Sequence, residues 1–307
     1  MSHIFDALQR SGTERSGIEY SDVMSVVAKI FETDNESATP AKETVASVVS
    51  EIPPLELNTT DHVLSIPKSQ AVTEFPSVDV RLEQLSKLVV ATEPESLAAE
   101  KFRFLGVRLR QLQSSTPVKK VLVTSTIPEE GKSLVSANLA AVLARRKQRV
   151  LLVDGDLRRP VLAHQFGLGR LKGVADWLRA DLPRLDYVYH LEDFDFWLMP
   201  AGEPPANPLE LMSQRPLNRL MKEASDLFDW VIVDSPPLLP LADTTVWTRV
   251  TDGILLITRV GNTEKPQLLK GLEVVKKNRL LGVVLNSCIN PHHDNYYRRY
   301  SPSSTKT

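Results

Sequence analysis

The sequence predicts an α/β fold of three layers, a mainly parallel sheet with helices on both faces. Three observations carry that expectation. From about residue 95 to 290, short runs of Val, Ile and Leu alternate with longer segments of helical periodicity, the pattern of strands joined by crossover helices. The short runs are apolar nearly throughout instead of at every second residue, as in strands covered on both faces. Two of them end on a lone acidic residue, Asp154 and Asp234, and the carboxyl ends of parallel strands are where open sheets hold ligands.

Composition narrows the functional classes. With 307 residues, 42% hydrophobic and 24% charged, the chain is long enough for one sizeable α/β domain and something smaller. A formal net charge of −1 gives no overall field toward nucleic acid or anionic lipid, so nucleic-acid binding is not expected. The single cysteine, Cys288, rules out an intramolecular disulfide framework and a cysteine-built zinc site, and fits a reducing compartment. No apolar run reaches the roughly 18 to 20 residues of a membrane span and no secretion signal opens the sequence. The expected location is therefore the cytoplasm.

Residues 1–77 are rich in Ser, Thr, Glu, Val and closely spaced Pro, a mostly disordered arm by composition. Within it, Ile4, Phe5 and Leu8 share one face of a short docking helix at 2–10 or belong to a frayed terminus. Residues 88–90 read as an outer strand. A helix follows over 95–113, with Leu97, Phe102, Leu105, Leu109 and Leu112 on one stripe. Then come a strand at 121–123, a helix at 132–146 and a strand at 149–153. Further on stand a helix after Pro160, one at 174–178, a strand at 195–199 and helices at 209–212 and 216–227. The series closes with strands at 230–233, 253–258 and 281–285, separated by helices at 242–248 and 265–277. The domain is thus expected over 78–290. Residues 291–307 are a polar tail carrying Tyr296, Tyr297 and Tyr300 around Arg298 and Arg299.

Chemistry concentrates in three stretches. The first, 118–138, is a strand that enters a polar turn closing on Gly131, Lys132 and Ser133, followed by a helix. Such a turn points backbone N–H groups at an anion, its lysine reaches the terminal phosphates, and its hydroxyl ligates magnesium. The usual first glycine is replaced by Thr126. In the second, Asp154-Gly155-Asp156-Leu157-Arg158-Arg159 sets two carboxylates and two guanidiniums at a strand end. Two residues apart on extended backbone, Asp154 and Asp156 face nearly the same way and can approach one metal or one substrate hydroxyl. In the third, 230–237, an apolar strand delivers Asp234, the acid that holds Mg²⁺ through water in P-loop nucleotide hydrolases. The plain alternatives are a surface turn, solvated loop carboxylates and a turn-capping Asp. The three stretches together favour a P-loop nucleotide hydrolase-like fold.

In this order the motifs LVTSTIPEEGKS, LLVDGDLRRP and VIVDSPP resemble those of the bacterial tyrosine kinases of the P-loop class, cytoplasmic autokinases of polysaccharide synthesis and export. The likeness continues through MPAGEPPANPLELM, LPLADTT, GILLITRVGNT and GVVLNS, covering about 95–290. It implies ATP and Mg²⁺ as cofactors. It implies that Glu129, Glu130, Gly131, Lys132, Ser133 and Leu134 hold the phosphates, with Asn286 at the adenine, and that Ser133, Asp156 and Asp234 hold the metal. Asp154 is implied as the group that takes the tyrosine proton, Lys132 and Arg158 as charge neutralisers, and Tyr296, Tyr297 and Tyr300 as phosphoacceptors.

The same resemblance implies a transmembrane chain-length regulator, or polysaccharide co-polymerase, with an activating cytoplasmic tail, recruitment to the inner face of the membrane, a tyrosine phosphatase and self-association. Relatives assemble rings through a helix motif E-x-x-R-x-x-R; here Glu100 and Arg103 are followed by Gly106, which leaves the ring form open. Two other readings stand beside the kinase. One is a deviant P-loop ATPase of the partition or positioning type, which usually carries a lysine where Ile127 stands; the other is a nucleotide-binding scaffold with little kinase activity.

Overall fold

Among the described residues eight short strands in the order β1-β4-β5-β3-β6-β2-β7-β8 make one sheet. A computed structural model describes residues 75–80, 88–180, 182, 184–212, 214–239, 242–275 and 280–287. The expected arm up to residue 74, its docking helix at 2–10, Cys288 and the tail with Tyr296, Tyr297 and Tyr300 lie outside the described residues.

In chain order the elements are β1 (Ser77–Val78), α1 (Val89–Thr92), α2 (Leu97–Ser115), β2 (Lys120–Ser125), α3 (Lys132–Ala144), β3 (Val150–Asp154), α4 (Leu162–Gln165), α5 (Val174–Ala180), β4 (Tyr189–Leu191) and β5 (Phe196–Met199). They continue with α6 (Pro208–Leu211), α7 (Gln214–Leu227), β6 (Trp230–Asp234), α8 (Asp243–Val250), β7 (Gly253–Arg259), α9 (Lys265–Val274) and β8 (Leu280–Asn286). All strand pairs are parallel except β4 with β5. The α/β, mainly parallel architecture is as the alternating apolar runs predict.

Side chains along a strand point alternately to the two faces, and the core divides accordingly. Leu122, Leu151, Val231 and Val233 join one apolar cluster with Trp177, Leu217 and Trp247, whereas Val121, Val123, Leu152 and Ile232 join the other with Leu109, Leu139 and Leu143. Burying each such side chain stabilises the fold by about 1.5–3 kcal/mol. α3 is covered almost all round, and its Val142 lies against α2 at Gly106. A Cβ at Gly106 would stand 2.6 Å from Val142 Cγ1, so only glycine permits this approach of the two helices.

Residues 88–90, expected as an outer strand, instead belong to α1 and the residue before it. β-branched residues favour strands only where a pleated neighbour receives them, and here α3 offers side-chain partners: Val90 N–H donates to Asn138 Oδ1 at 3.2 Å, and Arg145 donates to Val90 O at 2.6 Å. The outer edge is taken by β1, paired with β4. Strand β4 was not anticipated. A 3₁₀ turn at Glu192–Phe194, ending on Asp195 at φ 55°, folds it back on β5. Among the described residues no helix is long and apolar enough to cross a membrane.

Candidate active site

The loop between β2 and α3 forms the cradle. Gly131 opens α3 at φ 92°, a conformation that disfavours any side chain, and a Cβ there would stand 2.2 Å from Asn286 Nδ2. Among the described residues no side chain caps the helix start, which leaves its first amides free to receive an anion. Thr126, in place of the usual first glycine, is buried, and its side chain fits because α9 presents Gly271: a Cβ there would lie 3.0 Å from Thr126 Oγ1. The loop crosses back beneath Leu239, whose N–H donates to Thr126 O at 3.0 Å.

Strands β3 and β6 pair in register at Asp154 and Asp234, which brings the two acidic stretches together beside the start of α3. Lys132 Nζ lies 3.2 Å from Asp156 Oδ2. Burial pulls the Lys132 ammonium down, but the charges of Asp234, Asp156 and Asp154, with the Asp156 hydrogen bond, outweigh it and leave its pKa above the ordinary lysine value. Asp234 is fully buried, and burial pushes its carboxyl up; Lys132 and the hydroxyls of Ser133 and Ser136 oppose this, while Asp156 adds to it. The single Ser136 hydroxyl proton is shared between Lys132 O at 2.9 Å and Asp234 Oδ1 at 3.2 Å.

Asp154 is also fully buried. Among the described residues its Oδ2 accepts from Val161 N at 3.2 Å and Leu162 N at 3.1 Å, and its Oδ1 from Asp156 N at 3.3 Å. Burial, then the charges of Asp234 and Asp156, push its pKa up to about 8 against the pull of the Leu162 N–H and of Lys132. Asp156 Oδ1 accepts from Arg159 N at 3.1 Å, which ties the loop after β3 to the cluster.

The site residues are thus placed unequally. Lys132, Ser133, Asp154, Asp156 and Asp234 come together. Arg158 does not join them: its Nε and Nη2 are held by the buried Asp243 at the start of α8, at 2.5 and 3.1 Å. Asn286 Nδ2 donates to Glu130 O at 2.9 Å, and its Oδ1 accepts from Ser287 N at 2.8 Å, so both ends of its amide are engaged beside the cradle. Glu129 is exposed at φ 66°, Glu130 is buried, and Leu134 packs against the core. Two further residues contribute, Ser136 and Asp243. Ser136 stands one helical turn after Lys132, a spacing that does show in the sequence; Asp243 is 85 residues from Arg158, with no pattern joining them.

A magnesium ion suits this donor set. Among the described residues the buried Asp234 Oδ2 has no hydrogen-bond partner, a costly state unless a cation or water meets it. Among the described residues no three acidic, histidine or cysteine side chains form a ready-made cage. Mg²⁺ asks for less, since it binds through one or two carboxylates together with substrate phosphates and water.

A helix start left open to an anion, with its lysine held over acids delivered by two adjacent strand ends, defines a P-loop protein of the nucleotide-binding class. The model of the CobQ/CobB/MinD/ParA nucleotide binding domain family matches residues 121–300. The chain is 36% identical over 181 residues to the tyrosine-protein kinase YwqD of Bacillus subtilis, covering 58% of this chain and 76% of that protein. It is 34% identical over 172 residues to the tyrosine-protein kinase etk of Escherichia coli, covering 55% of this chain but only 24% of that longer protein. The solved kinase domain of Escherichia coli tyrosine kinase ETK superposes with a TM-score of 0.64 at 26% identity, covering 73% of this chain and 86% of that one. The chimerical protein CapA2B2 gives 0.63 at 29% identity, covering 70% and 96%. The chain belongs to the bacterial tyrosine-protein kinase family, within the CobQ/CobB/MinD/ParA nucleotide-binding group.

Proposed function

We propose that this chain is an ATP- and Mg²⁺-dependent protein-tyrosine autokinase that regulates exopolysaccharide or capsule synthesis and export. The observation that carries the reading is the convergence of Lys132, Ser133, Asp156 and Asp234 at the open start of α3, in a chain with these kinase relatives. Phosphoryl transfer asks mainly for positioning and charge neutralisation, and this cluster has the groups for both. The amides of 129–134 cradle the phosphates, and Lys132, kept charged by its acidic neighbours, neutralises the β- and γ-oxygens. Ser133, Asp156 and Asp234 hold Mg²⁺, which when bound spreads the charge of the transferring group. Asn286, seated beside the cradle, borders the nucleotide.

Asp154 is the proton acceptor in this reading. A carboxyl with a pKa of about 8 suits a base working near neutral pH, and its Oδ1, with one long hydrogen bond, is the oxygen left for a tyrosine hydroxyl. Asp154 is fully buried, so a tyrosine reaches it only if the loop at 155–161 moves. Arg158 contributes once it exchanges Asp243 for a phosphate oxygen. The acceptors are Tyr296, Tyr297 and Tyr300 of a neighbouring copy. A transmembrane chain-length regulator supplies the activating tail and draws the kinase to the inner face of the membrane, and a tyrosine phosphatase reverses the modification.

Incubation with labelled ATP and Mg²⁺, with and without the cytoplasmic tail of such a regulator, tests the reading. Alkali-stable phosphotyrosine is the expected product. Free phosphate without phosphotyrosine points instead to a positioning-type ATPase, and neither product points to a scaffold.

A further inference from the structure

The cradle contains a problem of charge. Glu129 and Glu130 lie inside the loop that would receive a polyanion, and a free carboxylate there repels phosphate. The structure deals with the two acids differently. Glu129 turns outward, and its carbonyl accepts from Arg259 Nη1 at 3.3 Å. Glu130 turns inward and is fully buried, tethered at three atoms. Its Oε2 accepts from the loop's own Ile127 N at 2.8 Å, its Oε1 accepts from the hydroxyl of buried Thr263, and its carbonyl accepts from Asn286 Nδ2 at 2.9 Å. Thr263 is itself fixed, since its Oγ1 accepts from Arg259 N at 3.2 Å.

We propose that Glu130 and Thr263 form a positioning pair that turns the cradle's own negative charge away from the phosphates and fixes the loop in its nucleotide-receiving shape. This rests on the nucleotide-binding reading above. The two residues are 133 positions apart, and their bond ties the turn between β7 and α9 to the cradle. Both carboxylate oxygens are committed, one to each side, so the charge is satisfied by hydrogen bonds from donors that are not phosphate-binding amides. Loss of the Thr263 hydroxyl leaves Oε1 buried and unpaired, a costly state for a charged group. The carboxylate then turns toward solvent, which here is the phosphate site.

The test is the affinity of the full chain for a fluorescent ATP analogue with Mg²⁺, read with kcat and KM for ATP. Thr263→Val is expected to weaken binding by about 10- to 100-fold, the worth of a hydrogen bond to a charged group, and to raise KM more than it lowers kcat. Thr263→Ser is expected to bind as wild type. The decisive arm is Glu130→Gln/Thr263→Val, which is expected to recover most of the affinity, because no charge remains to repel phosphate. A purely structural bond predicts the reverse, a double variant weaker than Thr263→Val. Glu130→Asp reports without altering Thr263: one methylene too short to reach it, it is expected to lose affinity by a similar factor, including where Thr263→Val does not fold. Unchanged binding in Thr263→Val or Glu130→Asp, failure of Thr263→Ser to bind as wild type, or a double variant weaker than Thr263→Val overturns the pair. A wild-type chain that binds no nucleotide overturns the functional reading instead.

Discussion

Asp154→Asn separates charge from shape at the centre of the site. In the folded protein the Asp154 carboxyl is raised from its ordinary 3.8 to about 8, mainly by burial. Between those two values the folded chain keeps a proton that the unfolded chain releases. Stability contributed by this group is therefore full below about pH 4, declines as pH rises, and is lost once pH passes about 8. One proton corresponds to a slope of about −1.4 kcal/mol per pH unit. Across the window the sum is on the order of 3–6 kcal/mol, the lower part of that range allowing for sharing with Asp234 and Asp156.

Asparagine is neutral throughout, so the variant loses this slope. Its changed hydrogen bonds to Asp156, Val161 and Leu162 add only an offset independent of pH. Urea unfolding followed by fluorescence of the buried Trp177, Trp230 and Trp247, at intervals from pH 5 to 9, measures both proteins. The expected result is a variant whose stability relative to wild type grows with pH up to about 8 and then levels. A difference that stays constant within about 0.5 kcal/mol over that range would falsify the raised pKa, and with it the case for Asp154 as a base near neutrality.

Three further outcomes are expected. Ser136→Ala removes a hydroxyl shared between Lys132 O and buried Asp234 and should cost about 0.5–1.5 kcal/mol in unfolding experiments; an unchanged midpoint would show that the bond does not matter. Gly106→Ala drives a methyl to 2.6 Å from Val142 Cγ1 and should destabilise by about 1–3 kcal/mol, with Val142→Ala in the same chain recovering part of the loss; additive losses would place the strain elsewhere. Replacing Tyr296, Tyr297 and Tyr300 together by Phe should remove most autophosphorylation while leaving ATP binding unchanged in a binding titration. Full labelling of that triple variant moves the acceptor elsewhere, with Tyr20 an option.

What could be read from the sequence is what depends on local pattern. The buried strands announce themselves as apolar runs because both faces are covered, and β3 and β6 end on Asp154 and Asp234 in the chain as in space. The turn from β2 to α3 was equally plain. Residues 88–90 misled because Leu-Val-Val fits a strand by composition, while the deciding partners, Asn138 and Arg145, lie 48 and 55 residues away from Val90. Arg158 looked free for phosphate, since nothing in D-x-D-x-R reveals Asp243. Glu130 looked like one more cradle residue, and only the fold shows its carboxylate turned back onto Ile127 and Thr263. Side-chain direction and long-range pairing decide these roles, and neither leaves a periodic trace in sequence. Gly106 is the intermediate case: its departure from the helix motif was visible, but its reason, the contact with Val142, was not.

Phosphotyrosine content after incubation with ATP and Mg²⁺ shows whether the Lys132, Asp156 and Asp234 cluster transfers phosphate to tyrosine. Purified wild-type chain and Lys132→Met are compared by mass spectrometry, with circular dichroism to verify that both are folded. Phosphotyrosine is expected in the wild type and none in the folded variant. Phosphotyrosine persisting in Lys132→Met, or absent from wild type even with an activating partner tail, contradicts that role of the cluster.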